Sequence, residues 1–391
     1  MNIMFLIDSL CNGGAEKVVS TISSKLSEKE GIEVYVVVDE TSEKDYELSK
    51  NVNIISLDKY HTKGIQRIIV LLKKAKRIKR LKSEYEIDCS ISFLPMSNFY
   101  NVITKGKEKC FTSVRILMSE AGYPWYFEYI HKYSMRNCDC IISVSECVKR
   151  EIKRICNKRV VTIVNPCDIE LITKIKDEIL PLEVSEIIGK SDFVLVTHGR
   201  FEEQKGHVHL IRMMVELVHK NPGTILLLCG EGSLQKKYEE LIELFHLDNN
   251  VYILGRQRNP FSILSRCDVY VFSSLYEGFP NSLLDAMSVG LPVISSDGAS
   301  GIRELIAPHT DCEYCTASIE YAQFGVLTPR FNSIIGEYEP IDENELQMID
   351  AIETLRLSMK TREYYAEQSK RRIKDFNVEK ITDKWLDIIK G

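Results

Sequence analysis

The chain has 391 residues, 44% hydrophobic and 27% charged, enough apolar material for two or three globular domains and unlike a disordered or fibrous chain. No apolar run approaches the roughly 18 residues that a membrane-spanning helix needs. The start, MNIMFLIDSL, lacks a basic leader and meets Asp8 at once, so it reads as a strand and not as a signal peptide. The net charge of −5 is uneven: ten Lys or Arg and no acid lie between Lys59 and Ser83, which leaves −15 on the remainder. Twelve cysteines without framework spacing fit a reducing cytoplasm. His309, Cys312 and Cys315 are the one arguable metal cluster, and with no evident fourth ligand no metal is expected.

Residues 1–7 predict a first strand, Asp8–Gly14 a loop and Ala15–Leu26 a helix. Gly13 and Gly14 stand where a helix start can approach a ligand closely; a plain tight turn is the alternative. Strands follow at Val34–Val38, Val52–Leu57, Asp88–Phe93, Cys110–Arg115, Cys140–Val144 and Val160–Val164, with a helix at Ser145–Ile155. Strands alternating with helices imply a parallel sheet covered on both faces. Within this series Ile65–Leu81 reads as an amphipathic helix, with Ile65, Ile68, Ile69, Leu72, Ala75, Ile78 and Leu81 on one stripe. The stripe is expected in the domain core. The cations, among them Lys73, Lys74, Lys76 and Arg77, are then expected to face an anionic membrane surface or a lipid diphosphate. A solvated helix face is the alternative. Nucleic acid is not expected, because no recognition motif or interleaved aromatics accompany the charge.

Residues 169–191 carry mixed charge and no strand pattern, and are expected to be a linker. Asp192–Thr197 opens a second strand series. Its first loop is His198–Gly206, its first helix Val208–Leu217, and its next strands are Ile225–Cys229 and Val251–Leu254. These end in Gly230-Glu231-Gly232 and Gly255-Arg256. Arg200 can hold two phosphate oxygens at once and Lys205 supplies a mobile point charge; an ordinary exposed charged loop is the alternative.

Residues 269–297, VYVFSSLYEGFPNSLLDAMSVGLPVISSD, organise the rest. They predict a strand at Val269–Phe272, a loop at Ser273–Pro280, a helix at Ser282–Val289 and a strand at Pro292–Ser296. A loop opening a helix after a strand makes an anion site. Glu277 and Asp285 flank it, and their carboxylates suit sugar hydroxyls. Asp285, three residues after Ser282, also fits a capping box.

The run Glu277-Gly-Phe-Pro-Asn-Ser-Leu-Leu-Asp285, followed by Ala-Met, resembles the E-x7-E signature of the retaining family 4 glycosyltransferases, with Asp where the family usually has Glu. Arg200 and Lys205 are similar to that family's R-x4-K pair, and Asn165-Pro-Cys-Asp168 to its N-P-x-D element. The resemblance implies an α/β architecture of the GT-B type, two facing Rossmann-like domains with parallel sheets and a cleft between them. Residues 1–168 would be the acceptor domain and 192–375 the nucleotide-sugar domain, with the helix in 376–391 packing back on the first. It also implies transfer of a hexose or N-acetylhexosamine, with retention, from a nucleotide diphosphate sugar (UDP foremost) to a lipid-linked or surface-glycan acceptor. The place would be the cytoplasmic face of a bacterial cell membrane.

In that reading Glu277 meets the transferred sugar, Arg200 and Lys205 the leaving diphosphate, and Asp285 the ribose. Gly14, Gly199, Arg256, Gly278, Phe279, Pro280, Asn281 and Ser282 line the donor. Gly13, Arg115 and Glu120 belong to the acceptor cleft, where the family often has a His that is missing here. No D-x-D pair occurs to hold a metal on the diphosphate, so neither metal nor cofactor is expected. Two rivals share the pattern: a sugar-nucleotide epimerase on the same fold, and a nucleotide-sugar-binding subunit without turnover.

Overall fold

The computed structural model describes residues 1–11, 13–39, 46–57, 66–298, 300–332 and 339–391. Its contacts divide the chain into two units, Met1–Pro166 with Phe376–Gly391, and Cys167–Asp375. The first unit is built on strands β1 (Asn2–Leu6), β2 (Glu33–Val38), β3 (Val52–Ser56), β4 (Cys89–Phe93), β5 (Lys109–Val114), β6 (Cys140–Ser143) and β7 (Val160–Thr162). They form one sheet in the order β3-β2-β1-β4-β5-β6-β7, with every pairing parallel. Runs such as Ile3–Leu6 and Val34–Val38 are apolar on both faces because helices cover both sides. The helices are α1 (Gly14–Ser27), α2 (Gln66–Glu84), α3 (Pro95–Ile103), α4 (Trp125–Asn137) and α5 (Glu146–Ile155).

Helix α2 departs from the expected pattern. Ile78 and Leu81 enter the core with Met4, Leu6 and Tyr35, but Ile68, Ile69 and Leu72 are 62%, 50% and 62% exposed. Its 19 residues span roughly 28 Å, whereas a five-residue strand spans roughly 17 Å. The helix therefore overhangs the sheet at its amino end. The cations are corrected as well. Lys74 turns inward to Asp39 at 2.6 Å, and Lys82 is buried against Glu108 and Asn101. Lys73 and Lys76 are exposed and Arg77 is half-buried. Lys59, Lys63 and Ile65 lie outside the described residues.

The second unit begins with α6 (Ile169–Ile175) and α7 (Leu182–Gly189), so residues 169–191, expected as a linker, are largely helical and pack with this unit. It continues through β8 (Phe193–His198), α8 (His207–Lys220), β9 (Thr224–Cys229), α9 (Gln235–Leu244), β10 (Val251–Gly255), α10 (Pro260–Leu264) and β11 (Val269–Phe272). Then come α11 (Asn281–Ser288), β12 (Val293–Ser296), α12 (Gly301–Ile306), β13 (Glu320–Tyr321), β14 (Val326–Thr328), α13 (Glu343–Leu357) and α14 (Met359–Arg372). The sheet order is β10-β9-β8-β11-β12-β14-β13, and only β13 pairs antiparallel.

The last helix, α15 (Val378–Lys390), belongs to the first unit. Ile381, Trp385 and Ile389 are buried in the core that holds β1, β2 and β4, and the Trp385 ring lies 5.9 Å from Phe93. Lys109 Nζ caps the helix end, donating to the carbonyls of Ile389 and Lys390 at 3.1 and 3.0 Å.

Candidate functional site

In an open parallel sheet, ligands bind beyond the carboxyl ends of strands, where the strand order reverses. In the second unit the chain moves outward from β8 through β9 to β10, then returns to β11 on the other side of β8. The reversal point thus lies between β8 and β11. The loops there are Gly199–Gly206 and Ser273–Pro280, the two that carry the sequence motifs.

A short 3-10 turn, Glu203–Lys205, presses one loop on the other. Gly206 ends it at φ +60° and opens α8, and a Cβ there would stand 2.3 Å from the Ser273 carbonyl oxygen. Three hydrogen bonds staple the contact. Ser273 Oγ donates to the Lys205 carbonyl at 2.7 Å, Leu275 N–H to Gln204 O at 2.8 Å, and Gln204 Nε2 to Tyr276 O at 2.9 Å. The staple brings Lys205 Nζ onto Glu277 Oε1 as an ion pair, with side chains only 16% and 11% exposed. The ammonium also lies 5.8 Å from the Phe272 ring centroid.

Asp285 is not a helix cap. Helix α11 begins one residue earlier than the sequence suggests, with Pro280 at the N-cap position and no side-chain cap. Asp285 therefore falls in the second turn, buried, with Oδ2 3.3 Å from His198 Nε2. Tyr270 fixes the imidazole from behind: its ring meets His198 edge-on at 5.6 Å, and its hydroxyl bonds to the His198 backbone. His198 Nδ1 is buried without a hydrogen-bond partner. Sequence reasoning gave His198 no role. The available signal was a titratable residue closing a strand beside the strand that feeds an acid-bearing helix.

Glu277, Gly278, Phe279 and Pro280 are buried, while Asn281 and Ser282, in the first turn of α11, are half-buried. First-turn amides have no intrahelical partner and suit an anion. The Gly278 carbonyl accepts from Gly301 N–H at 3.1 Å, which fixes this loop. Arg200 is exposed and lies 3.2 Å from Glu202, not on Glu277. Gly199 touches the neighbouring loop closely: a Cβ on Gly230 would stand 1.9 Å from its carbonyl oxygen. Arg256 reaches Glu231 at 4.0 Å. The structure thus joins Lys205 to Glu277 and Asp285 to His198, and leaves Arg200 and Arg256 with local acids.

In the first unit, Gly13 is the N-cap of α1 and Gly14 its first residue. The Glu16 carboxylate lies where a Cβ on Gly13 would be, so this helix start already has an acid beside it. Arg115 follows β5 and donates from Nη2 to Asn165 Oδ1. Glu120 is half-buried in the next loop, which Glu151 anchors by accepting from the amides of Met118 and Ser119 at 2.7 and 2.9 Å. Asp8, also unassigned by sequence reasoning, follows β1 and accepts from Ser97 Oγ at 2.6 Å. Burial raises its pKa and the serine bond partly opposes this. Among the described residues no three His, Cys, Asp or Glu side chains converge on a metal-sized position.

The Lys205–Glu277 pair makes a stability prediction at odds with a free surface loop. Lys205→Ala leaves Glu277 nearly buried without its cation, and should cost on the order of 3 kcal/mol. The double change Lys205→Met with Glu277→Gln should cost clearly less. Urea unfolding of the three proteins checks this, and equal losses in single and double variants would remove the pair from the stability account.

Two family models match the chain: glycosyl transferases group 1 over residues 182–319, and glycosyltransferase family 4 over residues 12–171. An uncharacterized glycosyltransferase of Methanocaldococcus jannaschii is 32% identical over 300 residues, covering 74% of this chain and 70% of that protein. An N-acetylgalactosamine-N,N'-diacetylbacillosaminyl-diphospho-undecaprenol 4-alpha-N-acetylgalactosaminyltransferase of Campylobacter jejuni is 25% identical over 397 residues, with 98% of both chains covered. Among solved structures, Anabaena HepE in complex with UDP superposes over the full length of both chains with a TM-score of 0.76 at 16% identity. With two Rossmann-like parallel-sheet units and matches of this extent, the chain belongs to the group 1 and family 4 glycosyltransferases.

Proposed function

We propose that this glycosyltransferase moves a hexose or N-acetylhexosamine, with retention and without metal, from a UDP-sugar to a lipid-linked glycan acceptor at an anionic membrane surface. The observation that carries it is the Lys205–Glu277 pair at the β8/β11 reversal, with His198–Asp285 beside it. Donor binding exchanges partners: the diphosphate takes Lys205, and the released Glu277 carboxylate accepts from hydroxyls of the sugar. As the bond to the sugar breaks, negative charge grows on the leaving diphosphate. Lys205, Arg200 and the α11 amides then bind the transition state better than the ground state. An oxocarbenium-like sugar and a leaving phosphate that takes the acceptor proton make a separate base unnecessary. The lipid-linked acceptor follows the Campylobacter relative, which is named for transfer to a diphospho-undecaprenol glycan.

The reading is tested by UDP release in EDTA, with and without a lipid-diphosphate glycan. Release should need the acceptor and survive chelation, and Lys205→Ala should slow it on the order of a hundredfold. Acceptor-independent turnover would favour the epimerase, and binding without turnover the non-catalytic subunit. Loss in EDTA with rescue by magnesium would overturn the metal-free mechanism.

Asp285 makes a second test. The family's longer Glu at this position would put an extra methylene against His198, which stands 3.3 Å away. Asp285→Glu alone should weaken UDP about tenfold by overpacking, and adding His198→Ala should restore it. Calorimetric titration checks both; a tight-binding single variant would show that His198 does not limit this position.

For the membrane, the structure supports a different contact from the one expected on sequence. Crossover helices run antiparallel to their strands, so α2 and α4 both start at the carboxyl edge of the first sheet. Helix α3 packs against both. The start of α2 exposes Ile68, Ile69 and Leu72 beside Lys73 and Lys76, and the start of α4 exposes Trp125 at 81% and Tyr129 at 69%. Aliphatic, Trp, Tyr and Lys side chains together suit a bilayer interface. No helix among the described residues is long and apolar enough to cross a membrane. Binding to vesicles should require anionic lipid and weaken with salt. Changing Ile68, Ile69 and Leu72 together to Ser should lower it more than about tenfold, with UDP affinity unchanged. Full vesicle binding by that variant would return the contact to the cations alone.

A further inference from the structure

The fold gives its buried cations acids. Lys82 faces Glu108, Arg212 faces Glu345, and Arg303 faces Asp297 and Glu320. Arg115 differs. It sits one residue past β5, at the carboxyl edge of the first sheet, with its guanidinium 5.5 Å from the centroid of Phe93, the last residue of β4. Nη2 donates to Asn165, which is itself buried just beyond β7. Nη1 is shut from solvent with no hydrogen-bond partner. Burial alone pulls the guanidinium down to about 9, with no acid opposing it.

A desolvated cation with an unused donor and no counter-ion is costly, and the cost is recovered when an anion arrives. The shape of the unused donor selects that anion. A planar guanidinium fork matches phosphoryl oxygens, and stacking on Phe93 fixes its plane beforehand. Arg115 is only half-buried as a residue and stands at the sheet's carboxyl edge. The rival anion site in this unit, the start of α1, already has Glu16 against it. Asn165 fits the same role, since it accepts from Nη2 without neutralising the charge.

We propose that Arg115 is the anion-binding residue of the first unit and takes a phosphoryl group of the acceptor. This rests on the reading that the acceptor is a lipid-linked diphosphate. The donor's diphosphate has the same chemistry, so the test separates the two sources.

Inorganic pyrophosphate is titrated calorimetrically into the full chain held in saturating UDP, and UDP is titrated separately. The parent should bind pyrophosphate with UDP present. Arg115→Gln should weaken it by about ten- to a hundredfold, the loss of one charged hydrogen bond, and Arg115→Lys should fall between. UDP affinity should not change. Without ligand, Arg115→Gln should melt at or above the parent's temperature, because an uncompensated charge is gone. Transfer to a diphosphate-bearing glycan should fall, and by a larger factor than transfer to the same glycan as a neutral glycoside.

Three results overturn the assignment. The first is unchanged pyrophosphate affinity in Arg115→Gln. The second is an equal fall in UDP affinity, which gives Arg115 to the donor. The third is a lower melting temperature that accounts for the lost binding, which makes the residue structural. A parent chain that binds pyrophosphate through Arg115 but never binds UDP would instead refute the donor reading and leave this one standing.

Discussion

The close approach of the Gly206 backbone to the Ser273 carbonyl sets the geometry of the second unit's site. With a Cβ at that position the two loops could not meet, and the hydrogen bonds from Ser273, Leu275 and Gln204 would have no partners in reach. The Lys205–Glu277 contact across the β8/β11 reversal follows from that approach. The approach brings Lys205 to Glu277 over a separation of 72 residues. It also makes the pair rigid before any ligand arrives, because the turn that carries Lys205 has its own backbone bonded to the opposite loop. In the proposed exchange, a cation held this way would lose little freedom when a diphosphate took the place of its carboxylate partner.

Strands β1 to β12 were legible because each is a short apolar or β-branched run bounded by loop residues, whereas β14 was not singled out. Val34–Val38, Val251–Leu254 and Val269–Phe272 left little choice. The helices were less so, for identifiable reasons. Apolar spacing locates a stripe on α2 but not the length of sheet beneath it, so Ile68 and Leu72 looked like core. Residues 169–191 alternate charge too irregularly to announce α6 and α7. The two-residue strand β13 is held by its pairing with β14 and has no pattern of its own. Motif spacing singled out Lys205, Glu277 and Asp285, which stand at the β8/β11 reversal, but His198 meets Asp285 only because β8 and β11 are neighbours in the sheet. Such pairings come from topology, which local sequence does not display.

Charge burial follows one logic across the molecule. Arg212 and His209 meet Glu345 in the second unit's interior, where Glu345 also closes a capping box with Asp342 at the start of α13. Arg303 is enclosed by Asp297, Glu320 and the Tyr314 ring. These clusters tie helices to loops and are satisfied without ligand. Of the buried polar atoms without a partner, His198 Nδ1 and Arg115 Nη1 lie next to the carboxyl edge of a sheet, whereas others, such as the Ser90 and Tyr238 hydroxyls and Trp385 Nε1, lie in the interior of their units. The two nitrogens at the sheet edges stand where ligands of an open parallel sheet bind.

The position of α15 also bears on how the chain is made. The first unit's core receives Trp385 and Ile389 from the other end of the polypeptide, more than 200 residues after β7. During synthesis the strands around Phe93 are complete long before that helix emerges. Until then, a strip of the first sheet's apolar face stays open while the second unit is translated and folds. The second unit is continuous in sequence and can close as it leaves the ribosome, so the order of completion is the reverse of the order of synthesis. The amino-terminal unit is thus the part of the nascent chain that chaperones would hold longest, and its last step is the docking of a single helix.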